Sequence, residues 1–343
     1  MKVLVAMSGG VDSTLAAALL LEQGHEVLGV TLRLVDPPPG ADPPDPAAAA
    51  ASLGIPHETV DLRGEFERLV VAPFVASYAA GRTPNPCALC NARVKFGLLL
   101  EKARAAGAGA LATGHYARIV PSPDGEPRLA RGADSRKDQS YFLFAIARGS
   151  LGLLSFPLGG LDKAAVRAMA RERGLAAAGR PESQEICFVP GEDCGAFVAR
   201  RLPPGTVAPG PVVDEAGRRL GTHRGLVHYT VGQRRGLGFA AGRPLYAVAL
   251  DPAANTLVVG PDGDLWRSEL VADGVNWLMD KPAGEFRALV RIRSRHEPAP
   301  ATLAPAGGGA WRVRFDVPQR AITPGQAAVF YDDDTVLGGG WIR

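Results

Sequence analysis

The chain has 343 residues, 46% hydrophobic and 21% charged, enough to bury a sizeable core in two or three domains, which excludes wholesale disorder. Its longest apolar run, residues 15–21, is too short to cross a bilayer, and residues 1–20 lack the pattern of a signal peptide; the expectation is a cytoplasmic chain with no membrane partner. The net charge of +3 is uneven: residues 1–199 carry 20 Lys and Arg against 21 Asp and Glu, and residues 200–343 carry 18 against 14, with arginine clusters that suit a phosphate backbone or simply a solvated face.

Along the chain, residues 3–6 are an apolar strand, Ser8-Gly9-Gly10 a turn, and residues 12–21 an Ala/Leu-rich helix. A second strand falls at 27–32, the Pro-rich stretch 37–46 is irregular, 47–53 is helical, and a third strand lies near 58–61. A helix at 94–106 and a strand at 110–113 continue the alternation, which predicts a parallel sheet with helices on both faces. From about Pro203 short β-rich runs at 245–250, 256–259, 286–292, 311–315 and 327–330 alternate with Gly, Pro and Asp turns, the pattern of antiparallel sheet or small barrels. Boundaries near 199 and 265 divide the chain into 1–199, 200–265 and 266–343.

Ser8-Gly9-Gly10-Val11-Asp12-Ser13 joins the first strand to the first helix, where backbone N–H groups and the positive end of a helix dipole converge. Two glycines let the backbone approach a phosphate, Ser8 and Ser13 add hydroxyl donors, and Asp12 is placed to reach Mg2+ or to cap the helix. Neither a Walker loop nor a dinucleotide fingerprint fits. The hexapeptide resembles the pyrophosphate loop of the ATP pyrophosphatase superfamily. An ATP site would take in Ala6, Met7, Ser8, Gly9, Gly10, Val11, Asp12 and Ser13, with the adenine near Leu32 and Gly114 at a topological switch point.

Four cysteines in so long a chain are not a disulfide framework. Cys87 and Cys90 form a Cys-x-x-Cys pair just before the 94–106 helix: a redox pair, half a zinc knuckle, or two ligands of an iron–sulfur cluster. Cys187 and Cys194 are spaced too widely for the second half of a knuckle. A helix dipole near Cys90 favours its thiolate, and Cys187, in an apolar strand-like run, reads by itself as a buried small hydrophobe.

Asn85-Pro86-Cys87-x-x-Cys90-Asn91, Gly114-His115-Tyr116-Ala117-Arg118, Lys137-Asp138-Gln139-Ser140-Tyr141, Ile186-Cys187-Phe188, Tyr229-Thr230-x-Gly232-Gln233-Arg234 and Thr323-Pro324-Gly325-Gln326 stand in one order along nearly the whole chain. In this the chain resembles the tRNA-specific 2-thiouridylase family. The resemblance implies an α/β fold: an adenine nucleotide alpha hydrolase-like (PP-loop) domain, a small central β domain and a C-terminal β-barrel. It implies ATP- and Mg2+-dependent thiolation of the wobble uridine of tRNAs for Lys, Glu and Gln, with a cysteine desulfurase or a sulfur-relay protein as donor, and no DNA partner.

Carried over residue by residue, Cys90 is the nucleophilic cysteine and Cys187 the persulfide carrier. Asn85, Pro86 and Cys87 meet the target base, and Lys137, Asp138 and Gln139 contact tRNA; apart from the resemblance, Arg293 and Arg295, from the arginine cluster on an expected barrel strand, are further phosphate contacts. Some family members have Asp where this chain has Cys87. The exchange leaves Cys87, Cys90 and Cys187 able to converge, and three thiolates with one open iron site would let a [4Fe–4S] cluster hold sulfide as a rival to the persulfide. His115 orients a phosphate, moves a proton or is structural, and stays outside the catalytic set; Cys194 reads as structural. The loops 84–91 and 180–187 are expected to order on tRNA. Two other functions stand beside thiolation: an ATP-dependent ligase or amidotransferase acting on a small molecule, and a zinc-bearing RNA-binding module.

Overall fold

Val3 and Val5 on one face of β1 (Lys2–Ala6) and Leu4 on the other are all fully buried, as a strand with helices on both sides requires. The structure is a computed structural model that describes residues 1–37, 40, 43–179, 186–238 and 242–343. β1 leads into α1 (Val11–Glu22), β2 (Glu26–Arg33), α2 (Pro46–Ser52) and β3 (His57–Asp61). The Asp45 carboxylate caps α2 by accepting from the N–H groups of Ala47 and Ala48.

A helical run not read from the sequence follows: α3 (Arg63–Phe66), a π-helical stretch Glu67–Val71 and α4 (Ala72–Ala79). The helix expected over 94–106 starts instead at Pro86, as α5 (Pro86–Cys90), a π-helix Asn91–Leu98 and α6 (Leu99–Ala105). Pro86 reads as a breaker, but at the first helical position its missing N–H costs nothing, and Asn85 caps the turn by accepting from Ala88 N at 3.2 Å. β4 (Ala110–Ala112), the hairpin β5 (Ala117–Pro121) and β6 (Pro127–Arg131), β7 (Leu154–Ser155), α7 (Lys163–Glu172) and α8 (Cys194–Ala199) complete this part.

The remaining strands are β8 (Gly210–Val213), β9 (Arg219–His223), β10 (Tyr246–Asp251), β11 (Thr256–Gly260), β12 (Trp266–Trp277), β13 (Phe286–Arg291), β14 (Ala299–Pro305), β15 (Trp311–Arg320), β16 (Ala327–Asp332) and β17 (Thr335–Ile342). Among the described residues the first sheet is parallel, in the order β3-β2-β1-β4-β7. β1 is its centre, and the chain leaves to one side and returns on the other, so the switch point lies at the ends of β1, β2 and β4. A small sheet runs β10-β11-β8-β9. In the last unit β12 pairs with both β15 and β17, closing β12-β15-β14-β13-β16-β17 into an antiparallel barrel.

The β5–β6 hairpin leaves the parallel sheet and joins the barrel, Ala130 pairing with Thr335. One core cluster accordingly runs from Leu4 and Leu111 through Tyr141 and Phe144 to Val329 and Tyr331. Polar ties cross the same seam: Asn276 donates to the carbonyls of Phe144 and Ile146 at 2.8 Å, and Tyr141 to those of Ile292 and Ala327.

Candidate active site

The loop after β1 has the geometry of an anion cradle. Gly9 sits at φ +73°, and a Cβ there would come within 2.8 Å of the Pro44 side chain and 3.0 Å of Pro46 N. Ser13 Oγ accepts from Ser8 N at 3.1 Å and donates to Gly10 O, so the two serines brace the loop across the start of α1. No side chain caps the helix, which leaves the N–H groups of its first turn for a ligand. Asp12 is not the cap. Its carboxylate accepts from Lys163 Nζ at 2.6 and 2.9 Å and from the Tyr116 hydroxyl at 2.8 Å. With both oxygens so engaged Asp12 is a poor Mg2+ ligand.

Gly114, at the end of β4, lies directly against this loop. A Cβ on it would fall 2.8 Å from the Asp12 carbonyl carbon and 2.9 Å from Ser13 N, both backbone atoms that cannot step aside without moving the cradle. Gly114→Ala is therefore expected to weaken MgATP binding at least about tenfold, about 1.4 kcal/mol. Titration calorimetry checks it, and unchanged affinity would separate Gly114 from the site.

The cysteines form a second locus. Cys90 is 6% exposed within a cluster of Phe66, Val70, Phe74, Val94, Phe188 and Phe197, while Cys87 and Cys187 reach solvent. The Cys90 and Cys187 segments are brought together by Phe188, whose ring packs edge-on to Phe66 at 5.6 Å and Phe74 at 5.1 Å and lies 5.5 Å from Phe197. Cys187 lies in a turn and not in the strand-like run expected of it. Burial raises the Cys90 thiol above its ordinary value, against the pull of Lys95, so the dipole effect expected at Cys90 does not prevail: the residue is a full turn inside the helix. Cys187 is pushed up to about 11 by burial and then by the charges of Cys90 and Cys87, and Cys87, crowded though solvent-accessible, is raised by the same desolvation.

The three thiols are thus within electrostatic reach of one another. Yet among the described residues no group of three His, Cys, Asp or Glu side chains is gathered as a metal site, so Cys87, Cys90 and Cys187 as placed do not fit the three-thiolate seat of a [4Fe–4S] cluster. The start of the segment 84–91 is tied to the other two units: Thr83 N donates to Pro324 O at 2.8 Å, Gln326 Nε2 to Thr83 O at 2.9 Å and to Pro84 O at 3.3 Å, and Thr83 Oγ1 to Thr230 Oγ1 at 3.1 Å. The motifs around Thr230 and Thr323–Gln326 therefore anchor the start of the segment that carries Cys87 and Cys90. The loop 180–187, expected with 84–91 to order on tRNA, lies outside the described residues up to 185.

Several residues expected at tRNA have other partners. The Asp138 carboxylate is fully buried, accepting from Arg291 Nη1 at 2.6 Å, Gly132 N at 3.1 Å and the N–H and hydroxyl of Ser140 at 3.0 Å, and is a clamp between units and no contact for RNA. Gln139 Oε1 accepts from Tyr116 N at 2.9 Å, bracing the residue that holds Asp12. Arg293 and Arg295 lie in the turn after β13, not on it; the Arg293 guanidinium donates to Arg320 O at 2.6 Å, and Arg295 is exposed. Asn85 and Pro86 are buried beneath Cys87, and Lys137 is half-buried. Leu32 packs into both the main core and the Cys90 cluster, between the two loci.

Three residues were missed. Lys163 and Tyr116 hold Asp12, and Lys95, on the π-helix, is the positive charge felt by all three thiols and by His115. His115, packed against Phe96 and Phe156, is held well below its ordinary pKa by burial and by Lys95, and so is neutral. No sequence signal marks Lys95, since only the wide turn of the π-helix brings it to this face.

A glycine loop at the switch point of a parallel sheet, joined to a cysteine recess and two β units, defines a nucleotide-binding enzyme of the HUP class. A tRNA methyl transferase HUP domain model matches residues 1–191, a tRNA methyl transferase PRC-barrel domain residues 195–261, and an aminomethyltransferase beta-barrel domain residues 267–342. The chain is 51% identical to the tRNA-specific 2-thiouridylase MnmA of Syntrophotalea carbinolica over 99% of its own length and 98% of that protein's. Against those of Chloroflexus aurantiacus and Geobacter metallireducens the identities are 50% and 48%, over 99% of this chain and 98% and 96% of theirs. The chain belongs to the tRNA-specific 2-thiouridylase family.

Proposed function

We propose that this chain is an ATP-dependent tRNA-uridine 2-sulfurtransferase that makes 2-thiouridine at the wobble position of tRNAs for Lys, Glu and Gln. The observation that carries the reading is the pairing of two loci in one domain, a phosphate cradle at the switch point and a recess bearing Cys87, Cys90 and Cys187. A ligase acting on a small molecule would use the cradle and leave the thiols idle, and methyl transfer would need neither.

The uracil C2 oxygen is a poor leaving group, so it is first adenylated. The oxygen attacks the α-phosphorus of MgATP, the bond from that phosphorus to pyrophosphate breaks, and the N3 proton passes to solvent. The N–H groups of the Ser8–Ser13 loop take up the charge that develops on pyrophosphate, and Mg2+, entering with ATP, neutralises it further. The terminal sulfur of a Cys187 persulfide then attacks C2, and the C2–O bond breaks to release AMP. The Cys90 thiolate attacks Cys187 Sγ, the S–S bond opens, and 2-thiouridine leaves with the sulfur and regains a proton at N3. A Cys90–Cys187 disulfide remains for a dithiol reductant to reopen. The uridine must be turned out of its stack to enter. Cys87, on the surface above Asn85 and Pro86, meets the base, and the exposed Arg295 meets the tRNA backbone.

We assign catalysis to 1–199 and tRNA holding to 200–265 and 266–343, a division supported by the spans of the three family models. No helix among the described residues is long and apolar enough to cross a membrane. A cysteine desulfurase or sulfur-relay protein loads Cys187. The test supplies the purified chain with unmodified tRNA, MgATP and either a desulfurase with cysteine or inorganic sulfide, and measures 2-thiouridine by mass spectrometry with iron and labile sulfide on the same sample. Product from the persulfide donor at less than about 0.1 iron per chain is expected. Product that tracks a stoichiometric cluster would replace the persulfide route, and no product from either donor would end the proposal.

A further inference from the structure

The cysteine helix passes through the recess as a π-helix, and that geometry selects a residue to which no role has yet been given. In an α-helix residues five apart point away from each other. In the π-helix Asn91–Leu98 the i→i+5 turn stacks Lys95 over Cys90. Lys95 is half-buried there, and no carboxylate among the described residues pairs with it. Lys163, by contrast, is committed to Asp12.

The charge of Lys95 is felt at Cys87, Cys90, Cys187 and His115, groups from three separate segments that surround it. All four are neutral near pH 7, since burial raises the thiols and lowers the imidazole. A cation partly withdrawn from water and, among the described residues, faced by neutral groups lacks the counter-charge that would offset its desolvation, and a bound anion supplies one. The position also fixes which anion. Phe96, next to Lys95, packs on the His115 ring at 5.6 Å, and His115 follows Gly114, which lies against Asp12 and Ser13, so this stretch of helix stands between the phosphate loop and the cysteines. When the cradle holds the departing pyrophosphate, the phosphate between cradle and sulfur is the α-phosphate.

We propose that Lys95 is a catalytic residue that holds the α-phosphate, first of ATP and then of the adenylated uridine, between the phosphate loop and the cysteines. It neutralises charge as the α-phosphorus is attacked, and again as the C2–O bond breaks and AMP departs, without donating a proton in either step. The inference rests on the thiolation reading.

The test compares wild type with Lys95→Ala, Lys95→Met and Lys95→Arg in single-turnover release of pyrophosphate from MgATP on excess unmodified tRNA, alongside MgATP affinity, 2-thiouridine formation and melting temperature. The expected result is a loss of about 10²-fold in the pyrophosphate-release rate for Ala and Met, the scale of one preorganised charge-stabilising donor. MgATP affinity should also fall, but by less than the release rate, the melting temperature should be unchanged for Met, and Arg should recover at least about tenfold. Release within about threefold of wild type in Lys95→Ala would overturn the proposal. So would intact release with thiolation alone lost and the alkylation of Cys90 shifted to higher pH, since Lys95 would then serve the thiols. Wild type that releases no pyrophosphate with tRNA would instead remove the thiolation reading, and this proposal with it.

Discussion

Cys187→Ala is expected to lower 2-thiouridine formation by at least about 10³-fold while tRNA-dependent pyrophosphate release in a single turnover stays within about threefold. The separation follows from the layout: the cradle at Ser8 to Ser13 is braced by its own serines and by Gly114, Tyr116 and Lys163, and none of these braces is Cys187. Cys90→Ala should keep adenylation likewise and lose product, because the sulfur would stay in disulfide linkage to Cys187. Nuclease digestion and mass spectrometry of the tRNA read both variants, and full thiolation in either would remove that residue from the mechanism. The titration of Cys187 gives a second readout. A thiol raised to about 11 is almost wholly protonated at neutral pH, so its alkylation by iodoacetamide, followed by peptide mapping, should rise about tenfold per pH unit from 7 to 10 and level off above 11. A plateau already at pH 8 would contradict the crowding of Cys187 by the other two thiols.

Arg291→Met is expected to destabilise the chain by about 2–4 kcal/mol, because the fully buried Asp138 carboxylate loses its hydrogen-bonded partner at 2.6 Å and keeps only Arg131, 3.6 Å away, as counter-charge. The apparent melting temperature should fall by at least about 5 °C, read by calorimetry or far-UV dichroism, and no shift would show that the pair does not hold the seam. Arg291 closes the last turn of β13 in the barrel, whereas Asp138 lies in the loop that positions Gly132 and Ser140; Ser140 in turn bonds the Tyr331 hydroxyl at 3.2 Å. Two bonds tie the next residue, Gln139, to Tyr116, which holds Asp12 in the phosphate loop. The barrel is therefore coupled to the nucleotide site through side chains, and loss of the pair should loosen both.

Local chemistry alone determined much of this molecule. The strand–turn–helix at 3–21, the later strands at 27–32, 58–61 and 110–113, and the β runs after 245 follow from period and punctuation, and the anion site follows from Ser8, Gly9 and Gly10 placed between strand and helix. The motif order carried the family resemblance that implied thiolation, whereas the cysteines by themselves left redox, zinc and cluster chemistry open. Tertiary structure decided what depends on distant partners. Pro86 starts a helix because Asn85 caps it, Asp138 turns inward because Arg291 waits in a barrel strand far along the chain, and β5–β6 joins the barrel because its parallel sheet has no place for a hairpin. Cys187 approaches Cys90 because Phe188 fills an aromatic pocket, and Lys95 faces the sulfurs because the helix widens to a π turn. Periodicity and capping are written within one or two turns of chain, so a sequence can be read for them. Burial, counter-charge and the pKa values they set depend on which remote surface closes over each residue, and that is a property of the packed whole.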